Sequence, residues 1–490
     1  MLTAGTFVLF YVACVVMALV RHPIYGLYLY LAEVYLHPPS RWWGAWLPDM
    51  RWSMLAACVT LLAIFIKRKD LPQTVRPWYS TAPGVGLIVL VVWFWIQWLW
   101  ALDPDFHLDA SILLSKYIIV FYIVYRLVTT PRQAADTLLV HVIGCFFLGL
   151  LCLMNDASRA EGRLDGVGGP NLDDANSLGM FLGTGVIAGA VLFLWRTGWR
   201  RAVVVLAMPL ILNGLILTGS RGAFLGVLVA GFVLIFLRPP QRRALFWGAA
   251  ALGIVLATLL VDKTFVERMF TIKDAVEQSE DIDSSAESRI VLFNAQLQMA
   301  LHYPHGAGHR GTAVLSPQYM DSKWLTLRQG ETQDQAARAS HNTFMTMLVE
   351  QGIPGAVLYL WMTFWGVRAI LEVRRAIRAG VALDLTAPAV ACCAGIVVVW
   401  VAGQTADYLK TEVQVWLLAM LAGALDRIRL ALKSSNATTG SSLASRGPWL
   451  HQGPKRPATD PRPAVRGATS ELPMRPGARW PGRTPAGGDR

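Results

Sequence analysis

Charged side chains are scarce in this sequence. Asp, Glu, Lys and Arg together make up 16% of its 490 residues, against ~25% in an ordinary soluble domain. Hydrophobic residues reach 54% and the mean hydropathy is +0.43, so water is excluded as the main solvent. Acidic residues are too few to balance the basic ones, leaving a formal charge of +12. That excess lies in short clusters between apolar runs and in the tail rather than in one patch, which argues against a nucleic-acid partner and fits the positive-inside pattern of membrane proteins. Cysteine is also sparse. All six (Cys14, Cys58, Cys145, Cys152, Cys392 and Cys393) fall inside apolar runs, where they read as small buried hydrophobes rather than disulfide partners or metal ligands. No basic residue precedes the first apolar run, Thr3 to Val20, and no small-residue cleavage site follows it. The run is therefore expected to stay as a membrane span. No internal repeat is clear enough to argue from.

What is abundant is apolar sequence in runs near the ~20 residues that cross a bilayer. Length and flanking charge predict about thirteen spans: 3–20, 23–37, 52–66, 82–102, 110–128, 137–154, 174–195, 202–217, 223–237, 244–261, 350–371, 387–402 and 412–426. The fold class expected is all-α, a polytopic transmembrane bundle of about 12–13 spans over residues 1–432. A large hydrophilic loop, 262–340, carries surface helices, and residues 433–490 form a disordered basic tail. Lys67, Arg68, Lys69, Arg76, Arg200, Arg238, Arg242, Arg374 and Arg378 collect on one side, which the positive-inside rule makes cytoplasmic. The loop 155–173, the turn 218–222 and the large loop then share the outer, periplasmic face. Ala286 to Leu301 places Ile290, Phe293, Leu297 and Ala300 at helical spacing, the pattern of an amphipathic helix on the membrane surface ended by Tyr303-Pro304.

Several residues on that face can carry chemistry. Arg221 stands in the turn Thr218-Gly219-Ser220-Arg221-Gly222 just ahead of a helix. Such a turn can grip phosphate oxygens through its backbone N–H groups and the guanidinium fork; the plainer alternative is an interfacial arginine snorkelling to headgroups. Arg289 either adds a second phosphate contact or pairs with Glu287 at a wet surface. His341 opens the helical run that begins Asn342-Thr343-Phe344. There the helix macrodipole disfavours its charged form and leaves a neutral imidazole able to accept a proton; alternatively it is a surface residue beside an N-cap at Ser340 or Asn342. His302, His305 and His309 suggest a metal by number, but Pro304, Gly306 and Gly308 make the segment irregular and no acid or cysteine lies at ligand spacing. The loop from Arg163 to Asn176 offers Asp and Asn side chains for sugar hydroxyls, or simply helix caps.

His341-Asn342, nine residues, Gly352, two residues and Gly355 resembles the signature of the O-antigen ligase superfamily. The turn Leu217 to Ala223, the stretch from Arg289 to Pro304-Gly306-Ala307-Gly308 and the late large loop agree with it. Arg21-His22-Pro23-Ile24-Tyr25-Gly26 and His37-Pro38 also look like the branch of O-glycosylation ligases associated with exosortase systems. The resemblance implies a metal-independent, cofactor-free C-type glycosyltransferase of the bacterial inner membrane. It would move a glycan from undecaprenyl pyrophosphate to a hydroxyl of lipid A core, of a growing glycan or of a protein. His341 would be the general base, Arg221 and Arg289 the pyrophosphate clamp, and Asn342, Arg310 and Asn176 further substrate contacts. A polyprenyl-glycan transporter is the rival from another class, but repeated halves are missing and Glu33 is nearly alone as a mid-depth acid.

Overall fold

Helices account for every run expected to span the membrane. The structure, a computed structural model, describes residues 2–154, 164, 166–169, 172–195, 198–260, 284–326 and 336–444. In chain order the helices are α1 (Leu2–Val20), α2 (Ile24–Leu36), α3 (Trp52–Ile66), α4 (Ala82–Gln97), α5 (Pro104–Leu127), α6 (Pro131–Met154), α7 (Ala175–Trp195) and α8 (Trp199–Leu217). They continue as α9 (Arg221–Phe236), α10 (Arg243–Leu260), α11 (Ser284–His302), α12 (Gly311–Tyr319), α13 (Thr343–Glu350), α14 (Gly352–Arg378), α15 (Leu383–Ala402) and α16 (Glu412–Ala444). Among the described residues there is no strand, only an isolated bridge between Thr326 and Ala337. The protein is an all-α, multi-pass membrane protein.

Length divides the thirteen expected spans. Among the described residues, seven helices are long and apolar enough to cross a bilayer, or up to eight if α9 and the start of α10 form one span bent by 114°. α2, α3 and α4 have 13, 15 and 16 residues; at ~1.5 Å per residue these cover only about 20–24 Å, short of ~30 Å of hydrocarbon. The final helix runs to Ala444, past the boundary expected at Lys433. The remainder of the expected tail, like 261–283 and 327–335 of the large loop, lies outside the described residues.

α7 is the hub and packs on α6, α8, α9 and α15. Its glycines allow this. A Cβ on Gly185 would lie 2.5 Å from Cys145 Sγ, and one on Gly179 would lie 2.8 Å from Thr218 Oγ1. Close backbone approach through small residues is how apolar helices associate where no water drives them together. The second contact seats the 218–222 turn against the start of α7. At the same level a Cβ on Gly222 would fall 1.9 Å from Thr405 Oγ1, so the start of α9 also meets the chain leaving α15. Gly222→Ala is expected to cost about 1–3 kcal/mol by overpacking, and Thr405→Ala to recover part of it; melting temperatures of the single and double variants check this.

α11 ends at His302 as Tyr303-Pro304 requires, but its two apolar faces do different things. Leu292, Ala295 and Met299 are buried with Ala307, Leu315, Met320 and Val349 in a small core of their own. Ile290, Phe293, Leu297 and Leu301 remain exposed, the face available to a membrane surface.

Candidate functional site

The site begins where the turn before α9 meets α7. Gly219 has φ 56°, in the left-handed region that glycine tolerates. Ser220 then caps α9, accepting from Ala223 N at 3.4 Å, and donates its own hydroxyl proton to Asn176 Oδ1 at 3.1 Å. Asn176 therefore holds the cap that precedes Arg221, the first residue of α9. Asp174 accepts from the N–H groups of Asn176 and Ser177 at 2.9 and 3.0 Å, so the plainer capping reading of that acid holds. Most of the 155–171 stretch, including Arg163 and Asp165, lies outside the described residues. The backbone of Val167 and Gly168 is gripped by Arg41, at 2.7 and 3.3 Å.

Opposite this turn, Asn342 is the N-cap of α13. Its Oδ1 accepts from Met345 N at 3.1 Å, while its Nδ2 donates to Gln404 O at 3.2 Å. Thr343 adds to the tie: its hydroxyl donates to Ala406 O at 3.0 Å and accepts from Tyr408 N at 2.9 Å. The segment 403–411 thus joins α13 to the start of α9, because Thr405 also abuts Gly222. Sequence reading missed this segment. Its polar residues Gln404 and Thr405 follow an apolar run and carry no motif. Asn342→Ala removes both the cap and the tether, so a loss of about 1–2 kcal/mol is expected from the cap, measurable as a lower melting temperature.

His341 stands immediately before that cap in an electropositive setting, crowded by protein atoms yet still in contact with solvent. Burial among surrounding protein atoms lowers its pKa to about 4, helped by the charges of Arg338 and Arg289 and opposed by Asp174. The imidazole is neutral at pH 7, as expected. The fields of two arginines accompany the burial and act in the same direction as the macrodipole expected from the sequence.

Arg338 was not singled out from sequence. It donates its backbone N–H to Ser316 Oγ at 2.7 Å and an Nη2 proton to Ser288 Oγ at 3.3 Å, next to Arg289. Its pKa is lowered by burial and then by the Arg289 charge. Its Nε is buried without a hydrogen-bond partner among the described residues. Such an orphaned donor beside a second guanidinium asks for an anion. The signal available in the sequence was an arginine three positions before His341. α11 is fastened to the same place, since Gln296 Nε2 donates to Ser340 Oγ at 2.9 Å.

The structure therefore brings Arg289, Arg338, His341 and Asp174 into one electrostatic neighbourhood, and Asn176, Arg221 and Asn342 into the hydrogen-bonded and packed frame beside it. Arg310 goes elsewhere. With φ 66°, it lays its guanidinium 4.1 Å over the Phe106 ring and 3.5 Å from Asp103 Oδ2, while its N–H donates to Glu350 Oε2 at 3.0 Å. The three histidines of the Gly-rich stretch also part company. His302 Nδ1 bonds Tyr319 OH at 2.7 Å, and His305 stands edge-on to Trp100. His309 accepts from Lys410 Nζ at 2.8 Å and so donates through Nδ1 to Glu350 Oε2 at 3.1 Å. These contacts build the loop rather than a shared ligand set.

Residues 206–360 match the family model described as O-Antigen ligase. The match runs from α8 into α14 and contains Arg221, Arg289, Arg338, His341 and Asn342; Asn176 lies outside it. No curated protein matches the chain.

Proposed function

We propose that this multi-pass membrane protein, whose residues 206–360 match the O-Antigen ligase family model, is a member of that superfamily and a metal-independent, C-type glycosyltransferase. Its donor is a glycan on undecaprenyl pyrophosphate, and its acceptor is a hydroxyl of lipid A core or a similar molecule at the periplasmic face of the bacterial inner membrane. One arrangement carries the reading: His341 in the field of two arginines, one of which keeps a buried Nε without a partner among the described residues.

Arg221, Arg289 and Arg338 hold the pyrophosphate and stabilise the charge that develops on it as the sugar leaves. His341 takes the acceptor proton while the hydroxyl oxygen attacks the anomeric carbon. The bond to pyrophosphate breaks in the same displacement, and the configuration inverts. The arginines make this base conditional on substrate. The charges of Arg289 and Arg338 help hold His341 near 4; a bound pyrophosphate would cancel that field and move the imidazole toward its ordinary ~6.5, so basicity rises when the donor is in place.

The test is reconstitution of the purified protein in liposomes with undecaprenyl-pyrophosphate glycan and three acceptors: lipid A core, a second donor molecule and a serine-containing polypeptide. Product on lipid A core supports the ligase. Product only on the glycan or the polypeptide replaces it with a polymerase or a protein O-glycosyltransferase, and no product with any of them overturns the transferase. In the same assay Arg338→Gln is expected to weaken donor use about 10–100-fold, the value of a lost charge-assisted contact or two. The His341 pKa should rise because a like charge is removed, which histidine NMR resonances would register.

A further inference from the structure

Arg221 and Phe236 begin and end α9, so the far end of this helix lies about 22 Å from the site just described. There, where the chain bends between α9 and α10, Arg238, Arg243, Arg374 and Arg378 line a cavity of about 400 Å³. None of the four is paired with a carboxylate among the described residues. Glu372, the nearest acid along α14, is taken by Arg429 in a two-pronged contact of 2.6 and 2.7 Å. The arginines are held by other means. Arg374 lies 3.5 Å over the Phe236 ring, and Arg238 donates to Ile235 O at 3.0 Å while facing Trp247.

Two exposed apolar stripes lead to this cluster. On α9, Leu225, Leu228, Phe232 and Phe236 follow one another at helical spacing on the outside of the bundle; on α14, Phe364, Val367 and Leu371 do the same. α15 packs against both helices. From Leu225 to Phe236 the first stripe is about 16 Å long, close to half of a ~30 Å hydrocarbon layer.

From this geometry we propose that the hinge between α9 and α10 is a binding site for an anionic glycerophospholipid. The phosphate sits among Arg238, Arg243, Arg374 and Arg378, and an acyl chain lies along each apolar stripe. Four guanidinium groups without carboxylate partners supply the charge complement, and stripes half a bilayer long favour a lipid over a soluble phosphate. The site is separate from the glycan-transfer site, at the opposite end of α9.

The experiment is native mass spectrometry of the full chain in detergent with equal amounts of phosphatidylglycerol and phosphatidylcholine. Wild type should retain phosphatidylglycerol at least ~10-fold over phosphatidylcholine, and Arg374→Gln/Arg378→Gln should retain the two equally. Arg132→Gln, at an exposed arginine of α6 that lies 4.0 Å from Asp136, should keep the wild-type preference. If the double variant does not fold, Arg374→Gln and Arg378→Gln are measured singly, each expected to lower the preference several-fold at an unchanged melting temperature. Equal retention by wild type, or an unchanged preference in the variants, overturns the proposal. Displacement of the lipid by inorganic phosphate at equal concentration also overturns it, in favour of a soluble-anion site.

Discussion

His341→Ala should abolish glycan transfer, with a fall of about 10³-fold, the middle of the ~10²–10⁴ that a positioned general base supplies. Donor binding should survive, because the arginines remain and the imidazole that is removed carries no charge at pH 7. The pH profile of the wild type gives a second reading of the same group. Its folded pKa is depressed to about 4, so the free enzyme keeps its base unprotonated well below pH 6. The acid limb of kcat/KM should therefore lie near pH 4–5, whereas the limb of kcat should lie higher, because bound pyrophosphate raises the imidazole in the complex. The stability sign runs in the same direction: protonating His341 as pH falls from ~6.5 toward about 4 favours the unfolded chain, where the imidazole is easier to charge. Full transfer by His341→Ala, or limbs that coincide, would remove His341 as the base.

Arg221→Lys should lose about 10–100-fold in donor use even though the charge is kept. A lysine offers a compact ammonium, whereas the guanidinium presents two parallel N–H groups to one phosphate. The helix start beside it stays intact in the variant, since Ser220 and Asn176 make the cap independently of the side chain at 221. Turnover against donor concentration separates the outcomes. A higher KM with kcat unchanged means ground-state grip, and an equal fall of kcat and kcat/KM means grip that tightens as the sugar departs. Wild-type values for both would refute the clamp.

Apolar periodicity made the all-α bundle legible, because in lipid a helix is the only way for a lone segment to satisfy its own backbone. It overstated how many helices are long enough to cross, since a 13-residue run such as α2 reads as apolar without reaching across. His341, Asn342, Arg221 and Arg289 were legible because they belong to a spaced motif or stand as cations beside a helix start or in the large hydrophilic loop. Arg338 and the 403–411 segment were not. Their importance comes from contacts across 50 and 62 residues, Arg338 to Ser288 and Asn342 to Gln404, and no local pattern encodes such distances. Arg310 shows the converse. Its place beside a Gly-rich loop marked it for substrate, while its guanidinium rests on Phe106 and Asp103.

Arg289 rides on α11, and what keeps α11 in place is the seven-residue core of Leu292, Ala295, Met299, Ala307, Leu315, Met320 and Val349. A cluster this small melts out locally at a lower free energy than the main bundle. The working temperature of the protein is therefore set by the fraying of one side element and not by collapse of its scaffold: on warming, catalysis should fade several degrees before circular dichroism records any loss of helix, and Met299→Ala should widen that gap.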